Sequence, residues 1–189
     1  MKLELINRII TSLVLVTILI YSTYYSGLYF IFFLSLIYLL SFYEIIKNTK
    51  NLLFILSSNI IIIFALVSFY FLRGNTYFAL VTLYWILLAT FLSDIGGYIF
   101  GKIFKGKKLT KISPNKTYSG AIGSVVFSLV SLPLLDSLQF FFLNEKLVYL
   151  SQLKYFFITI FISIICQLGD LYVSFWKRKI KIKNISKVL

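Results

Sequence analysis

Histidine is absent from this chain, and acidic residues number only six against nineteen lysines and arginines. Any chemistry here must proceed without imidazole, on a protein whose net charge is +13. Cysteine occurs once, as Cys166 inside an apolar run, which excludes a disulfide framework and leaves packing as its role. Charged residues of both signs make up only 13% of the chain, while hydrophobic residues make up 60%, against roughly 45–50% in a soluble domain. A water-soluble globule is thereby excluded. No hydrophilic domain or long linker interrupts the pattern, so residues 1–189 read as one membrane domain.

Apolar runs long enough to cross about 30 Å of hydrocarbon fall at 9–25, 27–46, 52–72, 77–104, 119–143 and 153–176. These predict an all-α integral membrane protein of about six transmembrane helices. Lys2 and Arg8 give the first run the look of a signal peptide, but it has no small-residue cleavage site and a second apolar run follows at once. With six spans, sixteen lysines and arginines fall on one side and three on the other. The positive-inside rule then predicts that both termini and the 105–118 loop are cytoplasmic, in a multi-pass protein of the cell's inner membrane. Basic clusters beside a membrane also bind anionic lipid heads without any catalysis. Nucleic-acid binding is set aside, because most of the charge abuts spans and no nucleic-acid module is visible. Fourteen tyrosines and twenty phenylalanines suit lipid-facing and interfacial surface.

Two carboxylates stand out against this background, Asp94 in LATFLSDIGGYIFGK and Asp170 in IICQLGDLYVSFWKRK. An acid at the bilayer centre costs roughly 2.5–3.5 kcal/mol on insertion scales and is a functional-site hypothesis by default. At 1.5 Å per residue, Asp94 falls about 25 Å below Tyr77 and Asp170 about 24 Å below Lys154, so both are predicted near the cytoplasmic face. Ser174, Lys177 and Arg178 follow Asp170 at four, seven and eight residues, on one stripe of a helix. Tyr98 and Lys102 repeat the spacing of four and eight after Asp94. Carboxylates with cations above them suit a metal ion held by acids and phosphate oxygens clamped by lysine and arginine. The competing explanation is a pair of intramembrane salt bridges that lock helices together.

Small residues cluster nearby. Ser93, Gly97 and Gly101 recur at every fourth position, as do Gly120 and Ser124, the pattern that lets membrane helices approach backbone to backbone. Gly96 to Lys102 reads as a phosphate-loop string, but Ile103 stands where Ser or Thr is needed and the segment continues an apolar helix, so that match fails. Ser113-Pro114-Asn115-Lys116-Thr117 is the most specific string in the chain. Its polar side chains and exposed amides suit an anion-holding turn, and equally the N-terminal cap of the fifth helix.

The order D-x-G-x-Y-x-x-G-K from Asp94, then S-P-x-K-T from Ser113 with Gly120 three residues on, then Gly169-Asp170 with Ser174 to Arg178, resembles the phosphatidate cytidylyltransferase (CDP-diacylglycerol synthase) family over about residues 77–185. The resemblance implies a magnesium-dependent reaction of CTP with phosphatidic acid, giving CDP-diacylglycerol and pyrophosphate in phospholipid biosynthesis, by a protein that is often a homodimer. It implies Asp94 and Asp170 as ligands of Mg2+ or its water shell. Ser113, Asn115, Lys116 and Thr117 would hold nucleotide phosphates, with Lys102 and Ser174 also at the substrate, and Lys177, Arg178 and Lys183 would neutralise phosphate charge. Such chemistry needs no strong base, since the attacking phosphate is already ionised, and the missing histidine is no obstacle.

The sequence departs from the family pattern in three places. Ser119 stands where glutamate is usual, Asn184 follows Ile182-Lys183 where aspartate is usual, and the chain stops at Leu189 where a P-G-H-G-G-x-x-D-R-x-D segment would begin. These departures predict a shortened member with weak or no activity. The competing classes are a non-enzymatic membrane protein, either a remnant of the fold or a small transporter, and a kinase of polyprenol or phytol type. A transporter would show related halves and interrupted helices at mid-membrane. No internal repeat is visible, which favours the transferase.

Overall fold

The computed structural model describes residues 2–110, 113, 116–144 and 149–179, with side chains from Ile10 onward except 149–152 and Lys177. Asn115, Lys183 and the side chain of Lys177 lie outside the described residues. Seven helices follow in order among the described residues: α1 (Lys2–Tyr25), α2 (Gly27–Asn48), α3 (Leu52–Arg73), α4 (Tyr77–Phe104), α5 (Tyr118–Ser128), α6 (Ser131–Leu143) and α7 (Tyr149–Lys179). The chain divides between Asn75 and Thr76 into two compact units, one carrying α1–α3 and the other α4–α7.

Among the described residues five stretches are long and apolar enough to cross a membrane: Gly27–Asn48, Leu52–Arg73, Tyr77–Phe104, Tyr118–Leu143 and Leu153–Trp176. The predicted span at 9–25 lies within α1 (Lys2–Tyr25), whose apolar part among the described side chains is Ile10–Tyr25. The described elements are thus all helices, compatible with a multi-pass membrane protein. Large apolar side chains such as Leu53, Phe64 and Phe71 on α3 are outward and exposed, which suits hydrocarbon as the surrounding solvent.

Helix boundaries follow local chemistry. The side chains of Asn51, Thr76 and Thr117 accept from the amides of Phe54, Ala79 and Gly120, capping α3, α4 and α5. Each supplies an acceptor for one of the amides that a helix start leaves unpaired. At the end of α3, Gly74 takes φ 49° and its amide returns to the carbonyl of Phe71, a conformation open to glycine without a Cβ clash.

The first unit packs Phe30, Phe33 and Leu34 of α2 with Leu19, Leu66 and Phe69. Arg73 is buried in this unit, with no acid paired to it among the described residues. Its guanidinium donates to the carbonyls of Thr23 and Tyr24 at the end of α1 and to that of Gly74. A cation at a helix C-terminus meets both unpaired carbonyls and the negative end of the helix dipole.

In the second unit Val81 and Trp85 of α4 pack against Leu135 of α6, with Tyr155, Ile158 and Ile162 of α7 on the other side. Trp85 donates its indole N–H to Ser131 at 3.2 Å, and Ser93 and Ser163 share a buried hydrogen bond of 2.8 Å between α4 and α7. α4 and α5 meet at their backbones. A Cβ on Gly96 would stand 2.4 Å from the Cβ of Phe127, and one on Gly97 would stand 2.5 Å from the Ser124 hydroxyl. The small-residue pattern of Gly97, Gly101, Gly120 and Ser124 lies in this contact, and Gly96 and Gly123 make its tightest part.

The run 119–143, read from sequence as one span, is broken at Leu129-Val130. Pro133 has no amide to offer the carbonyl of Leu129. That carbonyl instead accepts from Leu132, and the carbonyl of Phe127 accepts from Val130, both one residue shorter than the α-helical register. The result is a tight bend between α5 and α6 rather than a lost crossing.

Candidate functional site

An open cavity of about 250 Å³ forms where α4, the α4–α5 loop, α5 and α7 meet. α4 contributes Asp94, Gly97 and Tyr98; the loop contributes Leu109 and Lys116; α5 and its cap contribute Thr117, Gly120, Ala121 and Ser124; α7 contributes Gln167 and Asp170. The glycines set its depth. Because Gly97 and Gly120 carry no side chain, α4 and α5 approach closely and leave the space beside Asp94 open.

The loop that presents Lys116 is held at several points. Lys105 takes the left-handed conformation as α4 ends. Gly106 then donates its amide to the Ser119 hydroxyl at 3.3 Å. Tyr118 donates to the carbonyl of Lys107, and Leu109 to that of Lys116, around an antiparallel bridge between Lys108 and Thr117. The Lys116 amide donates back to the carbonyl of Ser113. Lys116 is therefore bonded at both its amide and its carbonyl, and it lines the cavity.

Its ammonium lies 2.8 Å from Oδ2 of Asp170. The Asp170 side chain is 57% exposed and that of Lys116 27%, so the pair is solvated and contributes about 0–1 kcal/mol to stability. Asp94 accepts a weak hydrogen bond from the Cys166 thiol at 3.7 Å. One turn of α7 thus brings Cys166 to Asp94 and aims Asp170 into the same space. Gln167, between them, donates to the carbonyl of Ala121 at 3.3 Å and ties α7 to α5. Among the described residues, two carboxylates face one cavity with a single ammonium lining it, an arrangement that suits a further cation.

Of the residues singled out from sequence, the cavity collects Asp94, Lys116, Thr117 and Asp170. The Thr117 hydroxyl is engaged as the α5 cap and also bonds the Ser119 hydroxyl at 3.0 Å, the helix-cap role that its sequence left open. Ser113 supplies backbone contacts, its amide bonding the Thr110 hydroxyl. Lys102 lies over the ring of Tyr98, 5.6 Å from its centre, and Ser174 and Arg178 continue α7 beyond the cavity lining. Gln167 and Ser124 line the cavity without having been read as site residues, and Cys166 was read as packing alone. Gln167 carried the same signal as the aspartates, a polar side chain within an apolar run.

Among the described residues no group of three or more histidine, cysteine, aspartate or glutamate side chains forms a metal cage. Mg2+ is usually bound by one or two carboxylates, with substrate phosphates and water completing its shell. Asp94 and Asp170 fit that requirement.

Fold and site together define a multi-pass helical membrane protein with an acid-and-lysine cavity built by the later parts of α4 and α7. The family model described as "Cytidylyltransferase family" matches residues 47–189, and the chain belongs to that family. Among curated proteins, the phosphatidate cytidylyltransferase of Staphylococcus haemolyticus is 38% identical over 104 residues, 54% of this chain and 37% of that protein. The phosphatidate cytidylyltransferase of Rickettsia conorii is 34% identical over 97 residues, covering 51% and 42% of the two chains. That of Helicobacter pylori is 32% identical over 117 residues, covering 59% and 39%. The chain spans about two fifths of the length of these relatives. No solved structure matches it.

Proposed function

We propose that the chain carries the nucleotide-phosphate site of a phosphatidate cytidylyltransferase, which transfers CMP from CTP to phosphatidic acid. The observation that carries this proposal is the convergence of Asp94, Lys116 and Asp170, from three separate elements, on one cavity. Family membership and the names of the relatives support the choice of substrates. The cavity is smaller than the roughly 300–1,000 Å³ of drug-sized ligand sites, which suits the metal-bound phosphates of a nucleotide rather than the whole molecule.

In this reaction an oxygen of the lipid phosphate forms a bond to the α-phosphorus of CTP. The bond from that phosphorus to the bridging oxygen breaks, and pyrophosphate leaves with the electron pair. Mg2+, when bound, neutralises phosphate charge and stabilises the negative charge that develops. Asp94 and Asp170 would hold it, Lys116 would bind phosphate oxygens, and Lys102, Arg178 and the more distal cations would lower the potential around two anionic reactants. The charge asymmetry of the sequence supports a cytoplasmic site and cytoplasmic termini in the inner membrane. Association of two copies belongs to the same proposal and is checked by cross-linking in membranes.

The test is turnover and binding together. The purified chain in detergent, with Mg2+, labelled CTP and phosphatidic acid, is expected to bind CTP in a Mg2+-dependent way and to form CDP-diacylglycerol. Asp170→Asn is expected to abolish both, and Lys116→Ala to abolish turnover and to weaken CTP binding by more than about tenfold. CTP binding that is indifferent to both substitutions would sink the assignment. A second function is favoured by the closed Lys116–Asp170 pair, in which these residues only fasten the loop to α7. Under that alternative Asp170→Asn lowers thermal stability and no CTP binding exists to be lost.

A further inference from the structure

We propose that Lys116 is a placeholder cation: its ammonium occupies Asp170 until a divalent ion arrives, and then turns to the nucleotide phosphates, so that metal and nucleotide bind as a coupled pair. This rests on the functional proposal above and adds to it a rule for how the site fills.

Among the described residues of the lining, Asp94 and Asp170 bring two negative charges to the cavity and Lys116 one positive charge, which leaves one negative charge. A divalent ion arriving alone must displace the ammonium from its 2.8 Å contact with Asp170. With the ion on the carboxylates, the displaced ammonium then has no further acid among the described lining residues to receive it. A triphosphate arriving alone meets two carboxylates while its nearest cation is already engaged. When both arrive, the ion takes the carboxylates and Lys116 takes phosphate oxygens, and every charge gains an opposite partner. Each ligand thereby raises the affinity for the other, by the same factor in both directions.

The loop is built for such an exchange. The Lys116 amide and carbonyl are both bonded, to Ser113 and Leu109, and Thr117 beside it is fixed as the α5 cap. Motion is confined to the four-carbon stem of the lysine, and both of its destinations lie on one cavity. Asp170 is solvated enough to release its partner without stranding a buried charge.

The experiment uses the full chain in detergent and Mn2+ as a stand-in for Mg2+, with free Mn2+ read by electron paramagnetic resonance. In the unmodified protein, saturating CTP is expected to tighten Mn2+ binding by about tenfold, within the range usual for coupled sites. Lys116→Gln is expected to bind Mn2+ alone about tenfold more tightly than the unmodified protein, with little further gain from CTP. Lys116→Arg is expected to restore the coupling. Asp170→Asn is expected to lose Mn2+ binding. Equal or weaker Mn2+ binding in Lys116→Gln, alongside a loss in Asp170→Asn, overturns the placeholder and leaves the functional proposal standing. Absence of both Mn2+ and CTP binding in the unmodified protein overturns both.

A second measurement needs no variant. Modification of the Lys116 amine by an amine-reactive reagent, read by mass spectrometry, is expected to rise severalfold with Mn2+ alone and to fall when CTP is added. Labelling that ignores Mn2+ overturns the proposal.

Discussion

Gly96 of α4 and Gly123 of α5 face each other with no room for a methyl group on either. A Cβ on Gly96 would lie 2.5 Å from the carbonyl oxygen of Gly123, and one on Gly123 would lie 2.9 Å from that of Gly96 and 2.3 Å from the Cβ of Phe100. This contact sets the separation of the two helices that form one wall of the cavity.

Gly123→Ala is therefore expected to destabilise the second unit by about 1–3 kcal/mol, the usual penalty for overpacking, and to weaken CTP binding by moving Thr117 and Ser124. Gly169→Ala is the control, because a Cβ there meets nothing within 4 Å. Thermal denaturation in detergent should show a clear fall for the first and a neutral or slightly stabilising effect for the second.

The Ser93–Ser163 hydrogen bond joins α4 to α7 between two buried side chains. A double-mutant cycle through Ser93→Ala, Ser163→Ala and the pair should give a coupling energy of about 0.6 kcal/mol, the average for such bonds inside membranes. A coupling near zero would show that these hydroxyls are satisfied equally well by their own helices.

Arg73→Leu should destabilise the first unit by about 1–3 kcal/mol, since it strips a donor from buried carbonyls at the end of α1. Arg73→Lys should recover part of this. The two variants are compared by resistance to proteolysis in detergent, which reports opening of α1–α3.

Lys102 and Lys116 separate cations that share a sequence neighbourhood from those that share the site. Lys102→Ala removes a cation stacked on Tyr98 and should change CTP affinity by less than about fivefold, a rim effect of at most about one kcal/mol. Lys116→Ala should lower it by more than about tenfold, since charged hydrogen bonds contribute roughly 1.5–3 kcal/mol. Equal losses would assign both lysines to general field effects.

The five long apolar stretches among the described residues and the two carboxylates that line the cavity were legible in the sequence because both depend on contrasts that one chain displays by itself. Apolar runs are long, and Asp94 and Asp170 interrupt them at a cost that structure must offset. Lys116 was legible through its unusual polar string. The bend before Pro133 was less so, since a proline in a long apolar run can kink, cap or break a helix, and only the shortened bonds to Phe127 and Leu129 show which occurred. Gly96, Gly123 and Gln167 were illegible for a different reason. Their roles depend on what lies opposite on another helix, which no spacing within one helix reveals. The sequence left Thr117 between two roles, and its bond to the Gly120 amide shows that it caps α5.

Arg73 finds its acceptors at Thr23 and Tyr24, fifty and forty-nine residues earlier in the chain. During synthesis those carbonyls are made first, so when α3 leaves the ribosome a landing place for the guanidinium already exists. The order of translation and the order in which charge is sheltered coincide, and α3 need not enter lipid carrying a bare positive group.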